Sequence, residues 1–348
     1  MKARRMEVNQ RTTYFDAELR RLLHDPTQRE VFRIDNATVG VTNGPLSKAI
    51  LAARPMYEPE RIVFKPIRGV PVSKATLSTV MKAVVQDARR LAEASPDPDL
   101  VLEGIWPHAG YRYLQRRLYA SDPWPIRALV HRIVNQATLF KPALDVVMAR
   151  FMDGLPFDTA SALATKLVGA ASERQRRSTV TLYRRTTQSI CATVSSLVTN
   201  VLWLATPPEV REKTRICITE TLRLLPPAWM YHRDACREFA KLDSRIRATD
   251  DVLVIPLVTQ RDPNIWPEAD SYIPDRWEGV SNPEASDYYF PFGHSHDRCL
   301  ARELVLTLTE HTVQHLAERG VWTDKRQTSV WIPMKSLLAP KRLRVVPI

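Results

Sequence analysis

The sequence contains no hydrophobic run long enough to cross a membrane. The longest purely apolar stretches, such as residues 252–255, are far shorter than the roughly 20 residues that span a bilayer. The N-terminal residues are basic, but no apolar segment follows them, so we expect neither a signal peptide nor a signal anchor. These absences predict a cytoplasmic protein without a membrane span.

Cysteine is also scarce, and its spacing argues against the usual cysteine frameworks. The four cysteines are Cys191, Cys217, Cys236 and Cys299, and no two of them form a Cys-x-x-Cys pair. We therefore expect neither a disulfide framework nor a four-cysteine zinc site. Each cysteine has to be interpreted by itself.

Nucleic-acid recognition elements are missing, although the chain is basic. The formal net charge is +12 at pH 7, which predicts attraction to acidic partners through long-range fields. We find no zinc-finger spacing, no basic region with heptads and no aromatic RNA-binding signature. We therefore expect an acidic protein, and no nucleic acid, as the partner of this charge.

The remaining composition is that of an ordinary globular protein. The 348 residues are 44% hydrophobic and 25% charged, which is typical of a folded chain and not of a disordered one. No internal repeat and no low-complexity tract is present. We predict a single domain over residues 1–348.

The hydrophobic spacing predicts a mainly helical fold with small β-sheets. Alternating segments at 30–35 and 37–42 predict a short hairpin, and residues 177–205 have the all-round apolar and hydroxyl character of an interior helix. Other helices are predicted over 45–51, 74–93, 107–119, 125–138, 142–153, 158–171 and 209–225, and from near Cys299 onward. We also predict a strand at 250–260, a proline-rich coil at 263–292 and strands between 330 and 348.

Cys299 is the first candidate for chemistry, because it is predicted where a coil meets the start of a helix. Free backbone N–H groups and the helix dipole favour a thiolate there. A thiolate can act as a nucleophile or a metal ligand, whereas an isolated cysteine is often buried and inert. His294 and His296 lie close enough for zinc or copper binding, but no fourth ligand is evident.

A set of short motifs follows in the second half of the chain. It comprises Glu220-Thr-Leu-Arg223, Arg233, Gln260-Arg-Asp-Pro263, Trp266-Pro267, Tyr272-Ile-Pro-Asp-Arg276-Trp277 and the segment from Phe290 to Cys299. In this order and at these separations the set closely resembles the cytochrome P450 superfamily, the haem-thiolate oxygenases. The resemblance is specific from about residue 207 onward. The hairpin near 30–42 is similar to the family's N-terminal sheet, and residues 55–175 match only in helical character.

The resemblance implies haem b, iron protoporphyrin IX, as the cofactor. Cys299 would be the proximal ligand of the iron, and its thiolate would push electron density onto a bound oxygen species. Phe292 would pack on the sulfur side of the haem, with Gly293 in the same binding loop. Ser295 and Ala301 stand where glycines are usual, and both are small enough to keep this loop tight.

The resemblance also assigns buried charged residues. Glu220, Arg223 and Arg276 would form the family's carboxylate–guanidinium triad, which fixes the coil that leads to the cysteine. Breaking such a buried set typically costs about 3–5 kcal/mol, because a charge is left unpaired. Arg233 matches the residue that pairs with a haem propionate, a role that suits the fork of a guanidinium.

Propionate binding is one place where this sequence departs from the family. Two residues before the cysteine the family usually has Arg or His, whereas this chain has Asp297. An acid there would repel the propionate, so we expect His296 or Arg298 to bind it instead. Lys65 and Arg68 are further residues that could reach a propionate.

The second departure concerns proton delivery. Aligned through Pro208, the family's acid–alcohol pair falls on Cys191 and Ala192, with Thr193 next. The carboxylate is missing, and the hydroxyl is present only if the register slips by one residue. Positioned proton transfer is worth typically about 10²–10⁴-fold in rate, so oxygen activation should be impaired. Cys191 itself is typical of a core residue, and we interpret Thr186-Thr187 as structural.

The chain is also shorter than the family between the N-terminal sheet and the long interior helix. We expect the shortened roof to leave the pocket open, so that a large or carrier-bound substrate, or a partner protein, closes it. The pocket lining is predicted to include Cys191, Ala192, Thr193 and the turn at Leu337-Leu338.

These features predict a haem-thiolate monooxygenase that carries out a tailoring oxidation of a small organic molecule in a biosynthetic pathway. Dioxygen and electrons from an acidic ferredoxin would drive it, with Lys213, Arg215 and Arg298 as candidates for the docking surface. Because the proton relay is incomplete, peroxide-driven, redox-neutral or group-transfer chemistry at the same iron is an alternative. A binding or recruitment protein without chemistry is the other class.

Overall fold

The computed structural model describes residues 11–25, 27–53, 81–82, 84–85, 102–118, 173–295, 298–335 and 337–348, with the backbone alone at 115–118 and 173–185. Several expectations lie outside these ranges: the helices over 125–138, 142–153 and 158–171, most of the helix over 74–93, and Lys65, Arg68, His296 and Asp297.

The described residues are mainly helical, with small sheets, as the hydrophobic spacing predicts. The α-helices are α1 Ala17–His24, α2 Gly44–Ala52, α3 His108–Leu118, α4 Glu173–Leu204, α5 Pro207–Leu224, α6 Arg237–Leu242, α7 Pro256–Thr259 and α8 Arg302–Glu318. Two 3₁₀ turns, Pro274–Trp277 and Pro283–Ala285, interrupt the predicted coil. The helices expected over 45–51, 107–119, 177–205 and 209–225 are confirmed as α2, α3, α4 and α5.

The strands form three sheets in the described part of the chain. They are β1 Thr12–Phe15, β2 Val31–Arg33, β3 Thr38–Val41, β4 Gly104–Trp106, β5 Tyr231–Arg233, β6 Asp251–Val254, β7 Val321–Thr323, β8 Ser329–Ile332 and β9 Leu343–Pro347. The sheet orders are β2-β3-β6-β5, β4-β9-β7 and β1-β8, with β3–β6 and β1–β8 parallel. The predicted hairpin is confirmed as β2 and β3, paired antiparallel.

The strand predicted at 250–260 is correct only in its first half. β6 ends at Val254, and Pro256 opens the short helix α7. Proline has no N–H for a β-ladder and its fixed φ suits the first turn of a helix. The apolar run therefore changes from strand to helix at the proline.

The core lies where α4, α5 and α8 pack against one another. α4 contributes Val194, Leu197, Val198 and Val201, all fully buried, to the largest apolar cluster. A helix that is apolar nearly all round has to be surrounded by other elements, and the expected buried centre of this helix is confirmed. No described helix is long and apolar enough to pass through a bilayer.

A capped turn between α4 and α5 sets the direction of α5. The backbone N–H of Thr206 donates to the Glu209 carboxylate at 2.8 Å, and its hydroxyl donates to the same oxygen at 2.7 Å. Pro207 then begins the helix, because a proline at the first position costs no hydrogen bond. α5 then bends at Lys213, which has non-helical backbone angles (φ −139°, ψ 45°), and its last two turns are buried.

A buried carboxylate stabilises the four-stranded sheet. Asp250, just before β6, accepts two hydrogen bonds from the guanidinium of Arg33 on β2, at 2.7 and 2.6 Å. It also accepts the Arg247 N–H at 2.7 Å. The bonds from Arg33 and then Arg247 hold the pKa of Asp250 below its ordinary value, although burial opposes them.

This pair predicts part of the acid sensitivity of the fold. A carboxylate whose folded pKa is depressed stabilises the protein above its unfolded pKa, about 4, and loses that contribution as pH falls through the folded value. Asp250→Asn should therefore unfold more easily at pH 7 and show a flatter decline of the unfolding free energy below about pH 4. Urea unfolding at several pH values measures this. Asp275→Asn, at an exposed carboxylate, is the control, and an unchanged acid slope in Asp250→Asn would contradict the expectation.

Candidate active site

The turn that carries Cys299 begins in the segment Phe290–Gly293. The Gly293 N–H donates to the Phe290 carbonyl at 3.0 Å, and the Cys299 N–H donates to the Phe292 carbonyl at 2.8 Å. Gly293 (φ +76°) and Ser295 (φ +52°) have left-handed backbone, which costs less for glycine than for a residue with a Cβ. Hydrogen bonds and two left-handed residues thus close a tight loop around the cysteine.

The electrostatics of Cys299 differ from the sequence-based expectation. The helix predicted from near Cys299 onward is confirmed as α8, which begins at Arg302 with Ala301 as its N-cap, so the cysteine lies in the turn just before the helix. The thiol is exposed and lines a cavity, yet the surrounding protein desolvates it. Burial raises its pKa, although the Ala301 N–H opposes the shift. The Ala301 N–H is one of the free backbone donors that the sequence predicts at this position, but burial outweighs it, so the net direction is opposite to the predicted one.

A cavity of about 280 Å³ lies next to the Cys299 thiol. Apolar side chains form much of its wall, including Leu222 of α5, Val305 of α8, and Phe292 and Leu300 beside the cysteine. A thiol is a soft donor that suits iron, and aliphatic and aromatic walls suit a flat hydrophobic macrocycle. The residues present therefore fit a haem whose iron is held by the sulfur of Cys299.

One face of α4 lines the same cavity. Its members lie three, four or seven positions apart, which is the spacing of one helical face: Thr186, Ser189, Ile190, Thr193 and Leu197. The hydroxyl of Thr193 donates to the Ser189 carbonyl at 2.9 Å, one turn back in the helix. The polar groups that α4 brings to the cavity are therefore hydroxyls.

The structure places the two residues before Thr193 elsewhere. Cys191 is buried in the main core, where burial strongly raises its pKa. Ala192 is half-buried and packs against the same core, and neither residue lines the cavity. Of the three candidate positions, Thr193 is therefore the one whose side chain lines the cavity. Leu338, also expected in the pocket, packs in a separate apolar cluster, and Leu337 does not line the cavity.

Glu220, Arg223 and Arg276 meet as the resemblance implies. The Glu220 carboxylate accepts hydrogen bonds from Nε and Nη2 of Arg223, both at 2.9 Å, and from Nε of Arg276 at 3.1 Å. Its oxygens also accept the Trp277 indole N–H at 2.8 Å and the Ile273 N–H at 3.0 Å. Glu220 and Arg223 are both fully buried, so this network supplies the pairing that buried charges need.

The other donors of Arg223 hold the coil that follows α7. Its Nη1 donates to the carbonyls of Gln260 and Ala269, and its Nη2 donates to that of Ser271. Gln260 then links α5 to the cysteine turn: its amide donates to the Leu222 carbonyl at 2.8 Å, and its side-chain oxygen accepts the Phe290 N–H at 3.0 Å. Gln260 belongs to one of the sequence motifs, but the sequence alone did not indicate this linking role.

Tyr231 is a site residue that sequence reasoning missed. Its hydroxyl donates to the Pro291 carbonyl at 2.7 Å and accepts the Gly293 N–H at 3.0 Å. Burial, and then the charge of Cys299, raise its pKa, so the hydroxyl stays neutral. The sequence signal that could have identified Tyr231 is its spacing from Arg233, because residues two apart on a strand share a face. Tyr231 also lines the cavity.

The structure separates the residues expected at the propionates. Arg233 lies on β5 with Nη1 donating to the His232 carbonyl at 2.7 Å, and it does not line the cavity. Arg298 does line the cavity, and its guanidinium pairs with Glu284. His294 is half-buried, and burial lowers its pKa.

The described part of the chain gives little support for a metal site that does not involve Cys299. The group there that could hold an ion is His232, Asp234 and Asp251, away from Cys299 in sequence. Its imidazole already lies between the two carboxylates, at 3.6 and 3.3 Å. Neither His294 nor Cys299 belongs to such a group.

The expected basic docking residues are all paired with acids. Lys213 contacts Asp275 and Glu278, and Arg215 contacts Glu310. Together with the Arg298–Glu284 pair, this neutralises the three candidate cations locally. None of these three side chains therefore presents an uncompensated positive charge.

Comparison with known proteins gives matches to one family. The family model described as Cytochrome P450 matches residues 211–304. Cyclooctatin synthase from Streptomyces melanosporofaciens is 34% identical over 138 residues, which cover 38% of this chain and 29% of that protein. Thromboxane-A synthase from Sus scrofa is 30% identical over 136 residues, 37% of this chain and 26% of that protein. These matches span less than a third of the length of either relative.

Solved structures match over nearly the whole length. P450BioI, in complex with an acyl carrier protein ligated to hexadec-9Z-enoic acid, gives a TM-score of 0.61 at 17% identity, covering 95% of this chain and 97% of that one. A six-coordinated cytochrome P450 from Thermus thermophilus gives 0.57 at 16% identity, covering 96% and 99%. At these identities the likeness shows the fold.

Tyr231→Phe tests how the cysteine turn is held. The variant keeps the ring and leaves the Pro291 carbonyl without the hydroxyl donor, so we expect the free energy of unfolding to fall by about 1–3 kcal/mol. Urea denaturation of the purified protein measures this. Tyr14→Phe, at an exposed ring, should change it by less than about 0.5 kcal/mol. Equal effects of the two substitutions would contradict the role of Tyr231.

Proposed function

This chain belongs to the cytochrome P450 superfamily, and from that membership we propose that it binds haem b through Cys299 and oxidises a small organic molecule. The observation that carries the proposal is the placement of the Cys299 thiol on the wall of an apolar cavity. The buried Glu220–Arg223 network fixes the coil behind it. When bound, haem supplies the redox chemistry that activates oxygen.

The residues of the turn have separate tasks in this proposal. Cys299 binds the iron through Sγ, and Phe292 covers the sulfur side with Gly293 in the bend. Arg298 and Arg233 are the described candidates for the propionates, and His296 is a further one from the sequence. The whole of residues 1–348 would form one haem domain.

Proton delivery in this proposal falls to α4. Among the described residues, no carboxylate lines the cavity, while Thr193, Ser189 and Thr186 bring hydroxyls to it. Thr193 is the hydroxyl that replaces the expected alcohol, held by its bond to the Ser189 carbonyl. A hydroxyl can pass a proton on but is too weak an acid to be its source, so water has to bring the proton from solution to the hydroxyl.

The absence of a described carboxylate on this wall favours a second candidate function at the same site. An oxidant that already carries its protons, such as peroxide, needs less proton delivery than dioxygen does. Peroxide-driven, redox-neutral or group-transfer chemistry would therefore suit this cavity, with Cys299 still binding the iron.

The substrate and partners are proposed from the relatives. Cyclooctatin synthase and cyclooctat-9-en-7-ol 5-monooxygenase, both from Streptomyces melanosporofaciens, support a tailoring oxidation in a bacterial biosynthetic pathway. The carrier-protein complex of P450BioI supports a substrate presented on a carrier. An acidic ferredoxin would donate electrons, attracted by the net charge of +12.

Cys299→Ser tests the proposed function directly. Serine lacks the soft donor atom, so the purified variant should lose most of its iron and the absorption that thiolate-ligated haem shows with carbon monoxide after reduction. Cys236→Ser changes a cysteine outside the cavity and should keep both. Unchanged iron content and spectrum in Cys299→Ser would refute the proposal. If the natural protein itself lacks that absorption, the role that remains is binding or recruitment without chemistry.

Thr193→Val separates the two oxidants. It removes the hydroxyl and keeps the shape, so turnover with dioxygen and a ferredoxin chain should fall at least about tenfold, while turnover with peroxide should change little. Thr199→Val is the matched control, because its hydroxyl makes the same bond one turn back, to Ser195 at 2.6 Å, outside the cavity. If the natural protein turns over with peroxide and not with the ferredoxin chain, the second candidate function holds.

A further inference from the structure

Glu284 binds two cations that flank the cysteine. It lies in the 3₁₀ turn Pro283–Ala285, and its side chain is only 12% exposed. One carboxylate oxygen pairs with the guanidinium of Arg298, the residue before Cys299, and the other with Nε of Arg302, at the start of α8. A single carboxylate therefore contacts both guanidiniums that flank the cysteine in the sequence and offsets one of their two positive charges.

Residues of α2 contact the turn that carries Glu284 and fix its position. Lys48 is nearly buried, and its ammonium donates to the Glu284 carbonyl at 3.0 Å and lies 3.4 Å from Asp287. Gly44 packs so closely that a Cβ would lie 2.6 Å from the Asp287 carbonyl oxygen. Backbone contacts of this kind leave the turn little room to shift, so the carboxylate stays beside the cysteine turn.

Both guanidiniums also contact the site itself. Arg298 lines the cavity together with Cys299. The guanidinium carbon of Arg302 lies 5.9 Å from the ring centre of Phe292. The backbone N–H of Arg302 donates to the Cys299 carbonyl at 3.3 Å. Without Glu284, Arg298 would bring an unneutralised charge to the cavity wall, and Arg302 would be left with Glu303 alone.

We infer that Glu284 is a positioning residue that keeps Arg298 and Arg302 in place and offsets part of their positive charge beside Cys299, and thereby keeps the reduction potential of the bound iron low. The inference rests on the proposed function, because it concerns an iron held by Cys299. Reduction of ferric to ferrous iron adds one electron, and uncompensated positive charge nearby favours the reduced state. Net charge around a metal is one of the main controls of its potential.

Glu284→Gln tests this by removing the charge and keeping the shape. In a spectroelectrochemical titration of the haem-loaded protein, we expect the ferrous-to-ferric ratio at a fixed electrode potential to rise about threefold or more. A change of this size corresponds to the upper end of the interaction free energies that partly exposed ion pairs contribute. Glu284→Asp keeps the charge and should return the ratio towards that of the natural protein.

Glu278→Gln is the matched control, because it removes the same charge from a carboxylate that pairs with Lys213. It should leave the ratio unchanged. If Glu284→Gln lowers thermal stability but leaves the potential unchanged, Glu284 is only structural and the inference is overturned.

Arg298→Gln keeps the test decisive if Glu284→Gln does not fold. It leaves the Glu284 carboxylate with Arg302 alone, so the ferrous-to-ferric ratio should fall, a shift of opposite sign. A rise or no change would overturn the inference. If the natural protein shows no thiolate-ligated iron, the proposed function is refuted as well. If the natural protein has thiolate-ligated iron but the variants leave the ferrous-to-ferric ratio unchanged, only the inference is refuted.

Discussion

The fully buried pairing of Glu220 with Arg223 is the interaction on which the site depends. Removing two charges from water is expensive, and the cost is offset only when every donor and acceptor is used. All five N–H groups of Arg223 are used here, two on Glu220 and three on backbone carbonyls. Those carbonyls belong to residues 260–271, so the ion pair organises the coil that precedes the cysteine turn.

The cysteine turn is held from three directions, one of which leads back to this pair through Gln260. Gln260 connects the end of α5 to the Phe290 N–H, and Tyr231 connects β5 to Pro291 and Gly293. Glu284 contacts the turn from a third direction. A loop with left-handed residues is held only when its surroundings determine it, and these three neighbours do so.

Sequence reasoning predicted the long elements and the motif residues well, because periodicity over four or more turns is a strong signal and the motifs are specific. It missed β5, which has three residues, and with it the role of Tyr231. It placed the helix start near Cys299 correctly but did not foresee the burial that raises the pKa of the thiol. The pairing of Lys213 and Arg215 with acids was also missed, since their partners are distant in the sequence.

The sheets join distant parts of the chain, and this has a consequence for synthesis. Each of the three described sheets contains a strand from before residue 110 and one from after residue 250. On the ribosome, β1, β3 and β4 therefore emerge long before the strands that complete their sheets. Their edges stay open until the partner strands β6, β8 and β9 have emerged, and contacts so distant are formed late and slowly. Nascent chains of this protein should thus expose unpaired strand edges until those partners are made.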